Sequence, residues 1–162
     1  MMDAKQLLTL VVRPTLEHLE CHSPAAEQLI IGTIYQESHG KYLKQLGSGP
    51  ALGIIQMEPA TYKDIWDSYL AYKRKLANKI TELSSMESLD EDMRPDESQL
   101  ITNLSFAVAM CRAHYLRKKP ALPKAGDVDG MARYWKEHYN TPLGAGTVEE
   151  FKANFPYEVL DC

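Results

Sequence analysis

Three polar residues stand out in a Gly/Pro-punctuated stretch from Thr33 to Tyr62: Glu37 at the end of a helical pattern, then Gln56 and Glu58. Glu37 falls on the same helical face as Ile30, Thr33 and Ile34, at intervals of three and four residues. A carboxyl group held among apolar neighbours has a raised pKa and serves as a general acid near neutral pH. At the C-terminal end of a helix the dipole adds to that effect by disfavouring the anion. Glu58 supplies a second carboxylate. Cleavage of a glycosidic bond calls for such a set. An acid protonates the leaving oxygen, and a second carboxylate, an activated water or the substrate's own acetamido group stabilises the oxocarbenium-like transition state.

Other chemistry finds less in the sequence. His18 and His22 are four residues apart with Cys21 between them, but no third ligand follows at a metal-binding spacing. No metal and no cofactor is expected. His39 pairs with no nucleophile and is expected at the surface or lining a cleft. There is no GxSxG elbow, no GxxxxGK[ST] phosphate loop and no GxGxxG fingerprint. The three cysteines, Cys21, Cys111 and Cys162, are distant from one another and in no CxxC pair, so they are expected to be reduced.

The 162 residues suit one domain spanning 1–162, long enough to bury a core without metal or disulfide staples. The net charge of −4 gives no bulk attraction to nucleic acid or to an anionic membrane, and neither is expected as a partner. Arg112, Arg117, Lys118 and Lys119 cluster, which reads as the cationic end of a helix. No apolar run approaches the roughly 20 residues of a membrane helix. The apolar N-terminal run lacks a basic segment before it and a small-residue cleavage site after it, so synthesis in the cytoplasm without a signal peptide is expected.

The elements that would position these residues are mainly helical. Helical spacing covers residues 3–20, with Pro14 set to kink or split the rod. Ser23-Pro24 opens a helix that should run to about Ser38 and stop at Gly40. Residues 41–58, with Gly47, Gly49, Pro50 and Gly53, form a small β-hairpin or an irregular excursion. A helical period then runs from Pro59 to about Ser84. The acidic stretch 84–97 reads as an exposed connection. The most uniformly apolar helix, expected at the centre, spans about 97–118. Asp127 caps a helix ending near Tyr139, and Thr147-Val148-Glu149-Glu150 is a capping box for a last short helix.

Three motifs occur in order along this framework: Glu37-Ser38 at a helix end, Gly53-Ile54-Ile55-Gln56-Met57-Glu58-Pro59-Ala60-Thr61, and Tyr139-Asn140 after a later helix. Together they resemble the soluble lytic transglycosylase and goose-type lysozyme group, with its Glu-Ser pair, Gly-Leu-Met-Gln leading into Met-Pro-Ala-Thr, and Tyr-Asn-Ala-Gly. The RAHYLRKKPALP and YWKEHYNTPLGAGTVEEF segments resemble phage-encoded members. The resemblance implies a lysozyme-like α-helical domain. It also implies cleavage of peptidoglycan glycan strands between N-acetylmuramic acid and N-acetylglucosamine, in a virion component or released lysin. Other virion proteins would then be partners. Glu37 would be the acid and then the base. Ser38 would support the helix end or the substrate; Gly53, Gln56 and Met57 would line the cleft. Tyr139 would aim its hydroxyl at Glu37 or the sugar, and Asn140 would fix the turn.

Two departures from that pattern matter. Glu58 replaces the Met before Pro-Ala-Thr, which favours water activation and hydrolysis over transglycosylation; its structural alternative is a carboxylate stabilised at a helix N-terminus. The last motif reads Tyr-Asn-Thr-Pro. Tyr42 and Trp135 are expected among the cleft aromatics. The competing readings are a lysozyme-fold virion or peptidoglycan-binding protein without activity, and a helical interaction module in which the motifs are coincidental.

Overall fold

A computed structural model describes residues 1–162, and the protein is mainly helical. Helix α1 (residues 4–18) is one rod made of Ala4–Leu7, Leu8–Val12 and Arg13–His18. Pro14 does not split it. The preceding turn, Leu8–Val12, widens to π geometry, which accommodates a ring that has no N–H to donate and would crowd the turn before it. Helix α2 is Pro24–Ser38, with the Ser23 hydroxyl accepting the Ala26 N–H at 3.0 Å. His39 ends it, in the left-handed conformation at φ 55°, one residue earlier than the glycine expected to do so. No helix is long and apolar enough to cross a membrane.

Residues 41–58 form no strands. The segment is irregular and stitched by isolated antiparallel bridges, Lys44 to Leu52 and Leu52 to Met57. The expected helix from 59 to 84 is two helices, α3 (Pro59–Ser68) and α4 (Arg74–Glu82), separated by a 3₁₀ turn at Leu70–Tyr72. Leu70, in that turn, and Ile80, on α4, are both fully buried.

The helix expected over 97–118 also divides. A single turn, Gln99–Thr102, precedes α5 (Leu104–Leu116). Asn103 leaves the helical region at φ −132°, ψ 102° and caps α5 by accepting the Phe106 N–H at 3.0 Å. An Asn side chain competes with the helix ladder in this way and so starts helices better than it continues them. The stretch between α4 and this turn is an ordered connection, with Tyr62 donating to the Pro95 carbonyl. Asp127 caps α6 (Val128–Trp135), which runs on as a π turn over Lys136–Asn140. Thr147 caps α7 (Val148–Asn154) by accepting the Glu150 N–H.

Thirty-seven buried apolar residues form one continuous cluster. Helix α5 runs through its middle and packs against α1, α2, α3, α4 and the π turn that follows α6. On α2, Gly32 is the point of closest approach. A Cβ there would meet the Phe151 ring at 2.6 Å and Phe155 at 2.9 Å, so its absence lets α7 and the chain after it close over α2.

Candidate active site

The last turn of α2, the 41–58 segment, the end of α5 and the π turn after α6 enclose a cleft of about 900 Å³. Glu37, Gln56, Glu58, His114, Tyr139 and Asn140 are among the residues that line it. The three sequence motifs therefore meet in space, although up to 103 positions separate Glu37 from Asn140 (140 − 37).

Two hydrogen bonds hold the motifs together. Ile54 and Ile55 are fully buried, and their carbonyls need donors there. The Ser38 hydroxyl, at the end of α2, donates to Ile54 O at 2.6 Å, with Ile34 O further off at 3.1 Å. The Tyr139 hydroxyl donates to Ile55 O at 2.5 Å. The turn Gly53–Gln56 is thus pinned from both sides. Of the two roles expected for Ser38, it takes the structural one: it is buried and holds the helix end to the turn, and it does not line the cleft as a substrate-binding residue would. Tyr139 presents its ring to the cleft, while its hydroxyl points at a backbone carbonyl and not at Glu37.

Gly53 is likewise structural. It adopts φ +77°, and a Cβ would lie 2.1 Å from the Leu100 carbonyl oxygen, so no other residue fits. Gln56 follows in the left-handed region at φ 48°, which costs a non-glycine residue about 1 kcal/mol. Its side chain donates to Gly53 O at 2.9 Å while facing the cleft. Met57 is buried but reaches the cleft wall beside it, its N–H donating to Leu52 O at 3.0 Å. Asn140 accepts from Lys136 Nζ at 2.8 Å. The same ammonium reaches Gly144 O at 2.8 Å and Gly146 O at 2.6 Å, so one buried-side cation organises the whole loop after Tyr139.

Glu37 is half-buried, and its carboxyl is pushed up to about 7 by burial, against which a hydrogen bond from Trp135 acts weakly. Trp135 Nε1 donates to Glu37 Oε2 at 3.3 Å. No lysine or arginine pairs with this carboxylate. Trp135, expected as a cleft aromatic, is instead fully buried against Phe151 and reaches the site only through its indole N–H. Tyr42 and His39 do line the cleft. Glu58 is exposed at the start of α3 and faces the same cleft, its carboxylate making no capping hydrogen bond to that helix.

His114 is the titratable cleft residue that sequence reasoning missed. It is 7% exposed, packs against Tyr139 with ring centroids 4.6 Å apart, and is pushed down to about 4, by burial first and the nearby Arg117 second. Its place in the apolar register of α5, three residues after Cys111, is the one signal that points to it. The other histidines of interest go elsewhere: His18 Nε2 contacts Lys79 O at 2.9 Å and His22 Nε2 contacts Glu27 at 2.8 Å. The cysteines are all free. Arg112 is buried and Arg117 pairs with Asp64, so the cationic cluster is divided between core and surface. Compared with models of protein families, with curated proteins and with solved structures, the chain matches none.

Proposed function

We propose that this protein cleaves the glycan strand of peptidoglycan between N-acetylmuramic acid and N-acetylglucosamine, on a lysozyme-like helical domain. The observation that carries this reading is Glu37. It is a carboxyl group that titrates at about 7 on the wall of an open cleft large enough for sugars. A group with that pKa is still substantially protonated at neutral pH and can give its proton to a leaving oxygen. Glu37 protonates the glycosidic oxygen, the C1–O bond breaks, and positive charge develops at C1 and the ring oxygen. The resulting carboxylate then takes a proton from the attacking hydroxyl group. That hydroxyl is water in a hydrolase, giving a reducing end. In a lytic transglycosylase it is the sugar's own C6 hydroxyl, giving a 1,6-anhydro ring.

Glu58 favours the hydrolytic branch. It lines the same cleft as Glu37 and makes no ion pair or hydrogen bond that would engage it elsewhere. A carboxylate so placed can orient the attacking water while Glu37 takes its proton. The test is mass spectrometry of muropeptides released from purified walls by wild type, Glu37→Gln and Glu58→Gln. Reducing ends that vanish with either substitution support the hydrolase. Products with 1,6-anhydro ends that survive Glu58→Gln assign a transglycosylase and leave Glu58 as a helix-terminal residue. Release of nothing by wild type across several wall types overturns the enzymatic reading and leaves a binding protein.

A further inference from the structure

His114 makes an arrangement that the acid chemistry does not use. It lies near the end of α5 with its ring against Tyr139. Its Nδ1 is 3.1 Å from Arg117 Nη2. A guanidinium only donates, so Nδ1 must accept and the ring proton sits on Nε2. Arg117 is itself held by Asp64, whose Oδ2 accepts from Nη1 at 2.9 Å. The side chains of Asp64 on α3 and Arg117 just past α5 thereby fix both the tautomer and the rotation of the ring.

Nothing in the protein accepts from Nε2. Three side-chain nitrogens are sealed in the interior without a partner, Trp66 Nε1, Arg112 Nε and Arg117 Nε, and His114 Nε2 is not one of them. It is open to the cleft that His114 lines. A donor without a protein partner on the wall of a polar cleft gains from a ligand acceptor.

We propose that His114 is a substrate-binding residue whose Nε2–H donates a hydrogen bond to an acceptor oxygen of the sugar seated against Tyr139, either an acetamido carbonyl or a ring hydroxyl. The inference rests on the glycan-cleaving reading given above. The imidazole stays neutral at every pH where Glu37 works, since it is pushed down to about 4 by burial and then by Arg117. It is therefore a fixed donor and not a second acid.

Three measurements test this. Imidazole ¹⁵N spectra of the free protein should show the Nε2–H tautomer of His114, and an N-acetylglucosamine trimer should shift that signal. Steady-state cleavage of solubilised peptidoglycan should show KM raised roughly tenfold in His114→Ala, the worth of one neutral hydrogen bond, with kcat changed much less. His114→Gln, whose amide N–H occupies the Nε2 position, should recover most of the loss and controls for packing against Tyr139. A trimer lacking its acetyl groups separates the two acceptors. If it binds wild type and His114→Ala alike, the partner is the acetamido carbonyl; if it still loses affinity in His114→Ala, the partner is a hydroxyl. Wild-type activity with an unchanged KM in His114→Ala overturns this proposal alone, as does an Nδ1–H tautomer. Wild type that neither cleaves walls nor binds the trimer overturns the glycan reading and this proposal with it.

Discussion

Helix α2 carries a glutamate near each end, and the protein treats the two in opposite ways. Glu27, in the first turn, has a side chain only 4% exposed, but Arg13 grips it with Nε 2.8 Å from Oε2 and Nη2 2.7 Å from Oε1, and His22 Nε2 also lies 2.8 Å from Oε2. Burial pushes Glu27 up, yet the bonds from Arg13 and then His22 outweigh it and hold the carboxyl below the ordinary value of 4.5. The helix N-terminus adds to that preference for the anion. Glu37, ten residues on, sits in the last turn, where the dipole disfavours an anion and no cation approaches. Burial there goes unopposed except by one long bond from Trp135, and the carboxyl rises to about 7. Residue type and helix are the same. Partners decide whether a buried carboxylate becomes a structural anion or a proton donor.

Activity should separate the two most sharply. Glu37→Gln should lower wall cleavage by about 10³-fold, read from muropeptide release, with the fold intact by circular dichroism. Glu27→Gln should leave cleavage per folded molecule within a few-fold of wild type. If both substitutions abolish cleavage equally in folded protein, the contrast fails.

Stability should separate them in the other direction. Glu27→Gln removes one partner of a largely buried ion pair and should cost about 3 kcal/mol in urea unfolding at pH 7, the low end for breaking such a pair because Arg13 is partly exposed. Glu37→Gln should stabilise the protein at pH 8. Native Glu37 holds its proton up to about pH 7, whereas the unfolded chain releases it near 4.5. Wild-type stability therefore declines as pH rises between those values, by about 3 kcal/mol in total at 1.36 kcal/mol per unit. The Gln variant lacks that decline, and the two proteins should converge below pH 4.5. Glu27 has the opposite sign. Its lowered pKa contributes stability above 4.5 that is lost as pH falls through its native value. Denaturation at pH 3, 5 and 8 measures both trends.

The smallest effects concern tuning. Cleavage by wild type should fall tenfold per unit above about pH 7 as Glu37 loses its proton. Trp135→Phe removes the bond that favours the carboxylate, so that alkaline limb should move to higher pH. An unmoved limb would mean that the 3.3 Å contact contributes nothing to the tuning of Glu37.

Much of this contrast is legible in the chain of residues alone. Periodicity puts Glu37 on the packed side of α2, and Ser23-Pro24 marks its start at the residue where the helix begins. The caps at Asp127 and Thr147 stand where their sequence signals place them. Helix interruptions are less legible. Apolar spacing alone runs straight through Leu70–Tyr72 and Asn103, because period detection sums over a window and does not see a turn that interrupts the helix or a side chain that caps a helix from within. Pro14 errs the other way, since a single widened turn absorbs a residue that normally breaks helices.

By itself, then, the sequence determined the mainly helical class, the helix that carries Glu37 and the order of the three motifs, because caps and period are local properties of the chain. Tertiary structure alone decided what those motifs do for one another. Ser38 and Tyr139 come from positions 101 apart (139 − 38) to satisfy the neighbouring carbonyls of Ile54 and Ile55. Trp135 reaches Glu37 from within the core, and Asp64 on α3 holds Arg117 beside His114. Such pairings depend on which buried groups the fold leaves without water. That is a property of packing in three dimensions and has no period along the chain.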